Sequence, residues 1–226
     1  MMRSRYVLVA GVVSAAAGAV ALGRWRWRRQ GTALRAAMRT ACLPSSVKTY
    51  DAREVESLPP PVRRYFEAAL QDGQAMVTSV RFSQKGQFRQ HEKKDAWRPF
   101  SATQFATMHP PGFDWDARIR MAPGADVWVR DAYALGAGSL RAAVLGLVTV
   151  ADMRDIAASA RGELMRYLAE AAWYPTALLP SQGVRWEGID DASARATLCD
   201  GATTVALEFR FGTDCLIAAA WAASPP

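Results

Sequence analysis

The stretch FDWDARIRM, residues 113–121, is the clearest indication of the fold class in this chain of 226 residues. Charged and apolar side chains alternate along it, with Asp114, Asp116 and Arg118 on one side and Trp115, Ala117 and Ile119 on the other. A period of two residues is that of a β-strand, whose successive side chains point to opposite faces of a sheet. The stretch therefore predicts a strand with one polar and one apolar face.

Further strand-like runs continue on both sides of this stretch. The predicted strands are 76–86, 88–91, 97–107, 113–121, 127–134 and 139–150, and then 184–188, 194–199 and 203–211. Turns that contain glycine, proline or lysine separate most of these runs, which indicates antiparallel neighbours. The order lacks the regular alternation of strand and helix that a parallel sheet requires.

Two amphipathic helices interrupt the strands. The first begins in the LPPP sequence at 58–61 and ends before Gly73, and the second covers 162–173 and ends at Pro175. A short helix is also predicted at 152–160. Because a twisted sheet of many strands tends to curl, we expect an α+β fold with one large, curved antiparallel sheet and helices packed on its concave side.

The N-terminal segment predicts a transmembrane helix in front of this domain. Its first 39 residues hold eight arginines and no acidic residue, and they surround an uncharged run at 6–23. Such a run makes about 27 Å of helix, close to the roughly 30 Å hydrocarbon core of a bilayer. Four arginines from Arg24 to Arg29 follow at once, which favours a retained single-pass anchor.

A second interpretation of this segment stays open, a signal peptide that is cleaved after Ala19-Val20-Ala21. A third, an amphipathic helix that lies flat on the membrane, is disfavoured because the run at 6–23 has no polar face apart from Ser14 and the preceding Ser4. The side of the membrane on which the domain lies is also open, although the arginine count favours the cytoplasmic side.

The basic charge of the chain belongs to this segment. Eight of the 28 basic residues lie there. The rest of the chain has 20 basic and 21 acidic residues, so its net charge is close to zero. A nucleic-acid-binding domain would carry its own basic surface, so we expect no nucleic-acid partner. The predicted organisation is an anchor with basic flanks at 1–29, a linker at 30–57 and a globular domain at 58–226, with the lipid bilayer as a partner.

Most kinds of chemistry have no motif in this sequence. The three cysteines and two histidines lie at no metal-ligand spacing, and no nucleophile elbow, phosphate loop or dinucleotide fingerprint is present. We therefore expect no metal, no cofactor and no catalytic residue.

One candidate site is polar. Glu163, Arg166 and Glu170 share a helix face, and a pocket that raised the pKa of one carboxyl would make them an acid/base pair. Asp116 and Arg130 are expected to meet across neighbouring strands. The alternative interpretation of both groups is structural: an ion-pair ladder on the helix and a salt bridge that fixes strand register.

The second candidate site is aromatic. Rings in a domain tethered to a bilayer can line an apolar cleft, and they can equally fill a core. The residues predicted to bind a ligand are Trp115, Trp128, Tyr167, Trp173 and Tyr174, with the last two at the mouth of the cleft.

Three segments carry a resemblance to a known family. They are PPGFDWDARIRM at 110–121, VRDAYALGAGSLRA at 129–142 and GELMRYLAEAAWYPTALLPSQGVRWEGID at 162–190. The chain resembles, over about 58–212, a bacterial family of uncharacterised membrane-associated proteins, domain of unknown function 6544. The resemblance implies a membrane segment and a sheet-rich domain, and it favours a domain outside the cytoplasm. It assigns no activity and no catalytic residue.

Two further expectations follow from the resemblance. The order of strands and helices is loosely similar to the half-barrel of lipoprotein carriers, which hold acyl chains, and this likeness is an analogy. The alanine-rich stretch after Asp214 departs from the family pattern, which indicates a truncated end and predicts an exposed edge at strand 203–211.

The sequence thus predicts a membrane-anchored, non-catalytic domain that binds a hydrophobic small molecule or a lipid. An enzyme that uses the carboxylates and the arginines, and a structural partner in a membrane complex, are the alternatives.

Overall fold

The computed structural model describes residues 2–42, 48–89, 96–154 and 157–222 of the chain. Side chains 2–10, 12, 13 and 16 also lie outside this description, although their backbone is helical. Two short predicted features, the end of the strand at 88–91 and part of the helix at 152–160, fall on residues that are not described.

The alternating stretch at 113–121 forms the third strand of an antiparallel meander of six strands, so the prediction for it is confirmed. The strands follow one another in the sheet in chain order. Their bounds are β1 Ser79–Arg89, β2 Trp97–Thr107, β3 Gly112–Ala122, β4 Ala125–Ala134, β5 Ala137–Val144 and β6 Val148–Arg154.

Three predictions for this sheet are wrong. Strand β1 runs through Gly86 instead of ending there, because Gly86 pairs with Phe100 and a Cβ atom at this position would meet that ring. The predicted single strand at 139–150 is a hairpin, whose turn has positive φ angles at Leu145 and Gly146. Strand β6 also includes 152–154, which the sequence assigned to a helix.

The remaining strands form a second sheet, so the expectation of one large sheet is wrong. The strands β7 Val184–Gly188, β8 Ser193–Asp200, β9 Thr203–Phe211 and β10 Ile217–Ala222 form it in the order β10-β9-β8-β7. Strand β10 pairs with β9, for example Ala220 with Phe209. The predicted exposed edge at 203–211 is therefore covered, and the alanine-rich stretch is part of the sheet.

In the part of the chain that the structure describes, three α-helices accompany the sheets: α1 Met2–Ala41, α2 Pro60–Ala69 and α3 Ala157–Glu170. Helix α3 begins earlier than predicted, and its last predicted turn, Ala171–Trp173, is a 3-10 helix before Pro175. It contacts β5 on one side and β9 on the other, so it lies between the two sheets. The class is α+β, as predicted.

One hydrophobic core joins both sheets with α2 and α3. Phe113 of β3, Tyr167 of α3 and Phe209 of β9 are fully or almost fully buried in it. We call the side of the six-stranded sheet that bears Phe113 and Trp115 the core face. The opposite side, which bears Asp114 and Asp116, is the α1 face, because helix α1 lies on it.

Helix α1 continues to Ala41, so the first part of the predicted linker, residues 30–41, is helical. The helix contacts β2 and β3, and its side chains Trp27 and Met38 are buried against the sheet. Within the described residues, no helix combines the length and the apolar character that crossing a membrane requires.

Candidate functional site

A buried charge cluster lies on the α1 face, and its centre is the predicted pair of Asp116 and Arg130. The two residues are direct cross-strand partners, and Arg130 Nη2 lies 2.9 Å from Asp116 Oδ2. The Nε atom of Arg130 lies 3.2 Å from Asp114 Oδ1, an ion pair without the alignment of a hydrogen bond. One guanidinium thus holds two carboxylates that follow each other on the polar face of β3.

Helix α1 completes this cluster. Arg35 Nη1 lies 2.6 Å from Asp114 Oδ2, and the Trp27 indole donates a hydrogen bond of 2.9 Å to Asp116 Oδ1. Arg130 donates to the main-chain oxygen of Trp27 from both Nη atoms, at 3.2 Å each. The cluster therefore joins the helix to the sheet, and the cross-strand pair does more than fix strand register.

The two carboxylates of this cluster have different pKa shifts. Burial raises the pKa of Asp114 above its ordinary value, although the charges of Arg130 and Arg35 oppose the change. Burial also raises the pKa of Asp116, but the charges of Arg130 and Arg118 and the hydrogen bond from Trp27 outweigh burial and leave it below its usual value. The difference arises because Asp116 has two guanidinium groups of the sheet and the Trp27 indole beside it, whereas burial dominates at Asp114.

Aromatic and cationic groups alternate beside the cluster. The rings of Trp27 and Trp128 meet edge to face at 5.9 Å, and the guanidinium of Arg118 lies 4.2 Å from the centre of the Trp128 ring. Arg118 also pairs with Asp116, and Arg130 lies 4.8 Å from the Trp27 ring centre. Such contacts are stronger when they are removed from water, and here they help to hold α1 in place.

A second polar cluster lies on the core face, where the predicted residues Glu163, Arg166 and Glu170 of α3 meet the sheet. Arg166 Nε lies 2.8 Å from Glu170 Oε1, and Arg166 also pairs with Asp131 of β4. Gln104 of β2 donates a hydrogen bond of 2.6 Å to the second oxygen of Glu170. The helix face contains the predicted ion pair, and the same arginine connects the helix to the sheet.

Glu163 and Asp131 form a carboxyl pair in this second cluster. Asp131 Oδ1 is buried without a hydrogen-bond partner, and a protonated Glu163 carboxyl is placed to donate to Asp131. Burial and the negative charge of Asp131 raise the pKa of Glu163 to about 8, so Glu163 holds the proton near neutral pH. Burial likewise raises the pKa of Asp131, against the charge of Arg166.

The aromatic residues predicted to bind a ligand do not line a common cleft. Trp115 is buried in the core with its indole bonded to Gln84 at 2.6 Å, and Tyr167 and Tyr174 are buried side by side. Trp128 lies on the opposite face of the sheet, under α1. Trp173 is exposed, and its ring packs against Phe82.

An apolar groove occupies another part of the core face. It lies at the end of the six-stranded sheet that contains the β3–β4 and β5–β6 turns, and its volume is about 270 Å3. The side chains that line it are Phe88, Ile119, Met121, Val127, Val129, Leu140, Ala142 and Val150. All are apolar, and they come from β1, β3, β4, β5 and β6.

Two polar cavities flank the first three strands on the α1 face. They have volumes of about 280 and 300 Å3 and share Lys85, Ser101 and Arg118 in their linings. Arg120 and Asp126 also line the cavity of about 280 Å3, and Asp116 also lines the cavity of about 300 Å3. No group of three or more histidine, cysteine, aspartate or glutamate side chains within the described residues could hold a metal ion.

Sequence reasoning missed the helix side of the α1-face cluster and the residues of the groove. The signal for the helix was the spacing of Gly23, Trp27, Gly31, Arg35 and Met38, which recur every three or four residues on one side of α1. The groove residues alternate along their strands in the expected way. The sequence could not show which of them α3 would leave uncovered.

Comparison with known proteins gives a family and no closer relative. No curated protein and no solved structure is similar enough to the chain to count as a match. The model of one family, described as a family of unknown function (DUF6920), matches residues 56–223. The number 6544 expected from the resemblance is therefore incorrect, whereas the expectation of a family without assigned function is confirmed. The chain belongs to the family of unknown function DUF6920.

Proposed function

We propose that this protein is a membrane-anchored, non-catalytic domain that binds one apolar chain, such as the acyl chain of a lipid, in the groove on the core face. The observation that carries this proposal is the lining of the groove, in which eight apolar side chains from five strands enclose about 270 Å3. Burial of apolar surface is the main source of affinity for such a ligand.

The size and the shape of the groove favour a slender ligand. Its volume lies just below the range of roughly 300–1,000 Å3 that is typical of sites for small molecules. Val150, on the edge strand β6, is 58% exposed. Phe88, on the opposite edge strand β1, is 38% exposed. A ligand could therefore cover apolar side chains that water reaches in its absence.

The anchor in this proposal rests on the sequence. The uncharged run at 6–23, followed by four arginines, has the length and the flanks of a single-pass anchor. The side of the membrane is tested by adding protease to sealed vesicles that carry the full chain. Protection of the globular domain would place it in the lumen, and its digestion would place it outside.

A catalytic role for the polar cluster is the weaker alternative. Glu163, Arg166 and Glu170 line neither the apolar groove nor the two polar cavities. Arg166 already binds two carboxylates, and Glu170 is bound by Arg166 and Gln104. This arrangement favours a structural role over a reaction with a substrate.

Photo-crosslinking tests the binding proposal. The full chain in lipid nanodiscs is exposed to palmitate that carries a diazirine group, and the labelled tryptic peptides are identified by mass spectrometry. We expect the label on peptides 121–130 and 142–154, which together hold Met121, Val127, Val129, Ala142 and Val150. Label on peptide 167–185 instead would favour a site at Tyr167, Trp173 and Tyr174 and would contradict the groove.

Two matched variants sharpen this experiment. Val150→Trp fills the groove from an exposed position and should reduce the label on both peptides. Ile189→Trp changes a side chain that is also exposed and apolar but lies outside the groove, and it should label like the wild type. Equal labelling of all three proteins would show that palmitate does not enter the groove.

A further inference from the structure

The turn between β5 and β6 touches helix α1 at the residue where the predicted anchor ends. Gly23 of α1 lies against Leu147, and a Cβ atom at Gly23 would stand 2.8 Å from Leu147 Cδ2 and 3.1 Å from the main-chain oxygen of Gly146. A side chain at this position would displace Leu147 and crowd the main-chain oxygen of Gly146, so glycine suits the close approach. The end of the six-stranded sheet that contains this turn therefore lies beside the exit point of the anchor.

Exposed apolar side chains surround this contact. Leu22 and Trp25 of α1 are exposed on one side. On the other side Leu147 of the turn and Val148 at the start of β6 are exposed, Val148 by 64%. Isolated apolar side chains are common on protein surfaces, but a group beside a membrane anchor has an apolar phase within reach. Tryptophan in particular is enriched at the membrane interface.

The charged groups near this end are mainly basic. Arg24, Arg26, Arg28 and Arg29 are exposed on α1 directly after the predicted anchor. Lys85, Arg118 and Arg120 line the two polar cavities of the sheet, with Asp126 and Asp116 as their acidic neighbours. Basic side chains next to a membrane attract anionic headgroups, so this end of the molecule fits an anionic lipid surface.

The apolar groove lies at the same end of the sheet. Val150 belongs to the groove and is two residues from Val148, and both lie on strand β6. Met121 and Val127, which flank the β3–β4 turn, also line the groove. An apolar path therefore leads from the turn to the groove along a single strand.

We propose that the tip of the β5–β6 hairpin, Leu147 and Val148, inserts into the interface of an anionic bilayer beside α1 and opens the groove toward the lipid. This proposal rests on the proposed function, and it adds the source of the ligand: an acyl chain enters the groove from the bilayer and not from water. The inserted side chains lie at the depth of the boundary between headgroups and acyl chains.

Spin labels at two positions test the insertion. In a full chain whose three native cysteines are replaced by serine, Val148→Cys and Leu135→Cys are each labelled with a nitroxide. Leu135 is a suitable control because it is exposed and lies in the β4–β5 turn, at the opposite end of β5. The chain is reconstituted in vesicles of phosphatidylcholine with phosphatidylglycerol, and relaxation by oxygen and by a water-soluble nickel complex is compared.

We expect the label at position 148 to be accessible to oxygen and shielded from nickel, and the label at position 135 to show the opposite. Equal accessibility to nickel at both positions would overturn the insertion. Vesicles of phosphatidylcholine alone should leave the label at position 148 more accessible to nickel, and no difference between the two lipid compositions would contradict the role of anionic headgroups.

A kinetic experiment separates failure of this inference from failure of the proposed function. The double variant Leu147→Asp with Val148→Asp should label about fivefold more slowly with diazirine palmitate that is preloaded in the vesicles, because charge disfavours insertion at the interface. Palmitate delivered from albumin should label the variant and the wild type to the same final extent. Labelling of the groove at equal rates from vesicles would refute only entry through the tip, whereas no labelling from either source would refute the binding function.

Discussion

At the scale of single residues, two glycines show how closely α3 packs on the sheet. A Cβ atom at Gly138 of β5 would stand 2.6 Å from the main-chain nitrogen of Ala160, whereas a Cβ atom at Gly162 of α3 would meet nothing within 4 Å. Main-chain atoms of a packed helix cannot move aside as the end of a flexible side chain can. Replacement of glycine by alanine should therefore have opposite effects on stability at the two positions.

We predict that Gly138→Ala lowers the free energy of unfolding by about 1–3 kcal/mol, the usual cost of overpacking. Gly162→Ala should raise it by about 0.5–1 kcal/mol, because alanine favours the helix. Urea unfolding of the purified full chain in mild detergent measures both changes. If Gly138→Ala left the free energy of unfolding unchanged, β5 and α3 would be farther apart than they are in this structure.

The carboxyl pair of Glu163 and Asp131 predicts a dependence of stability on pH. The pKa of Glu163 rises from 4.5 to about 8 in the folded protein, so the folded state binds the proton more tightly than the unfolded state. The contribution of Glu163 to stability is therefore fully present below about pH 4.5 and is lost as the pH rises to about 8.

Glu163→Gln should flatten this dependence, because the amide resembles the protonated carboxyl and donates to Asp131 at every pH. Urea midpoints at several pH values between about 5 and 8 measure the effect. Glu67→Gln, on the exposed side of α2, controls for the loss of a carboxylate. If the midpoints of wild type and Glu163→Gln fall in parallel with pH, the proton is not shared at this position.

At the scale of secondary structure, the attachment of α1 depends on one buried ring. Trp27 is 1% exposed and bonds to Asp116, whereas Trp25, two residues earlier, is 54% exposed. Loss of a buried tryptophan costs about 3–5 kcal/mol. The matched changes Trp27→Ala and Trp25→Ala separate docking of the helix from the general effect of losing an indole.

We expect Trp27→Ala to increase the rate of tryptic cleavage after Arg35 at least roughly 100-fold, since each 1.4 kcal/mol changes the opened population tenfold. Trp25→Ala should be cleaved like the wild type. Mass spectrometry of timed digests gives both rates. Equal cleavage of the two variants would show that the ring does not hold the helix on the sheet.

Local sequence patterns predict single strands and the pairs between neighbouring strands. Alternation over 113–121 predicted β3 and the contact between Asp116 and Arg130, because neighbouring strands make such pairs from local patterns. The same patterns do not show how strands divide between sheets. Division into two sheets follows from the position of α3 between them, which is a property of the tertiary structure.

The position of the candidate site likewise depends on tertiary structure, which local patterns do not show. The residues of the apolar groove were visible as apolar positions, but any of these could have been covered by α3. The aromatic residues were selected for their size, and large rings such as Trp115 and Tyr167 are the side chains that a core buries first. Composition therefore indicates many apolar rings without showing which of them the fold leaves exposed.

At the scale of the whole molecule, the two sheets share one core and should unfold together. Phe209 of β9 is fully buried, and its ring lies 5.3 Å from that of Trp186. We predict that Phe209→Ala costs about 3–5 kcal/mol and reduces hydrogen-exchange protection equally in β3 and in β9. Leu216→Ala, at an exposed position before β10, is the control. It should change neither the stability nor the hydrogen-exchange protection.

Unchanged protection of β3 in Phe209→Ala would mean that the six-stranded sheet is stable without the other. Such a result would contradict a single cooperative unit, because the residues of both sheets contact each other in one hydrophobic cluster. The measurement thus decides whether the groove and the second sheet belong to one folding unit.

The docking of α1 also restricts how the length of this segment can vary. From Gly23 to Met38 the helix meets the sheet at intervals of three or four residues, and one inserted or deleted residue would turn everything before it by about 100°. Trp27 would then leave Asp116, or the helix would leave the sheet. Substitutions on the outward side should be tolerated in evolution, whereas insertions and deletions between these two residues should be eliminated.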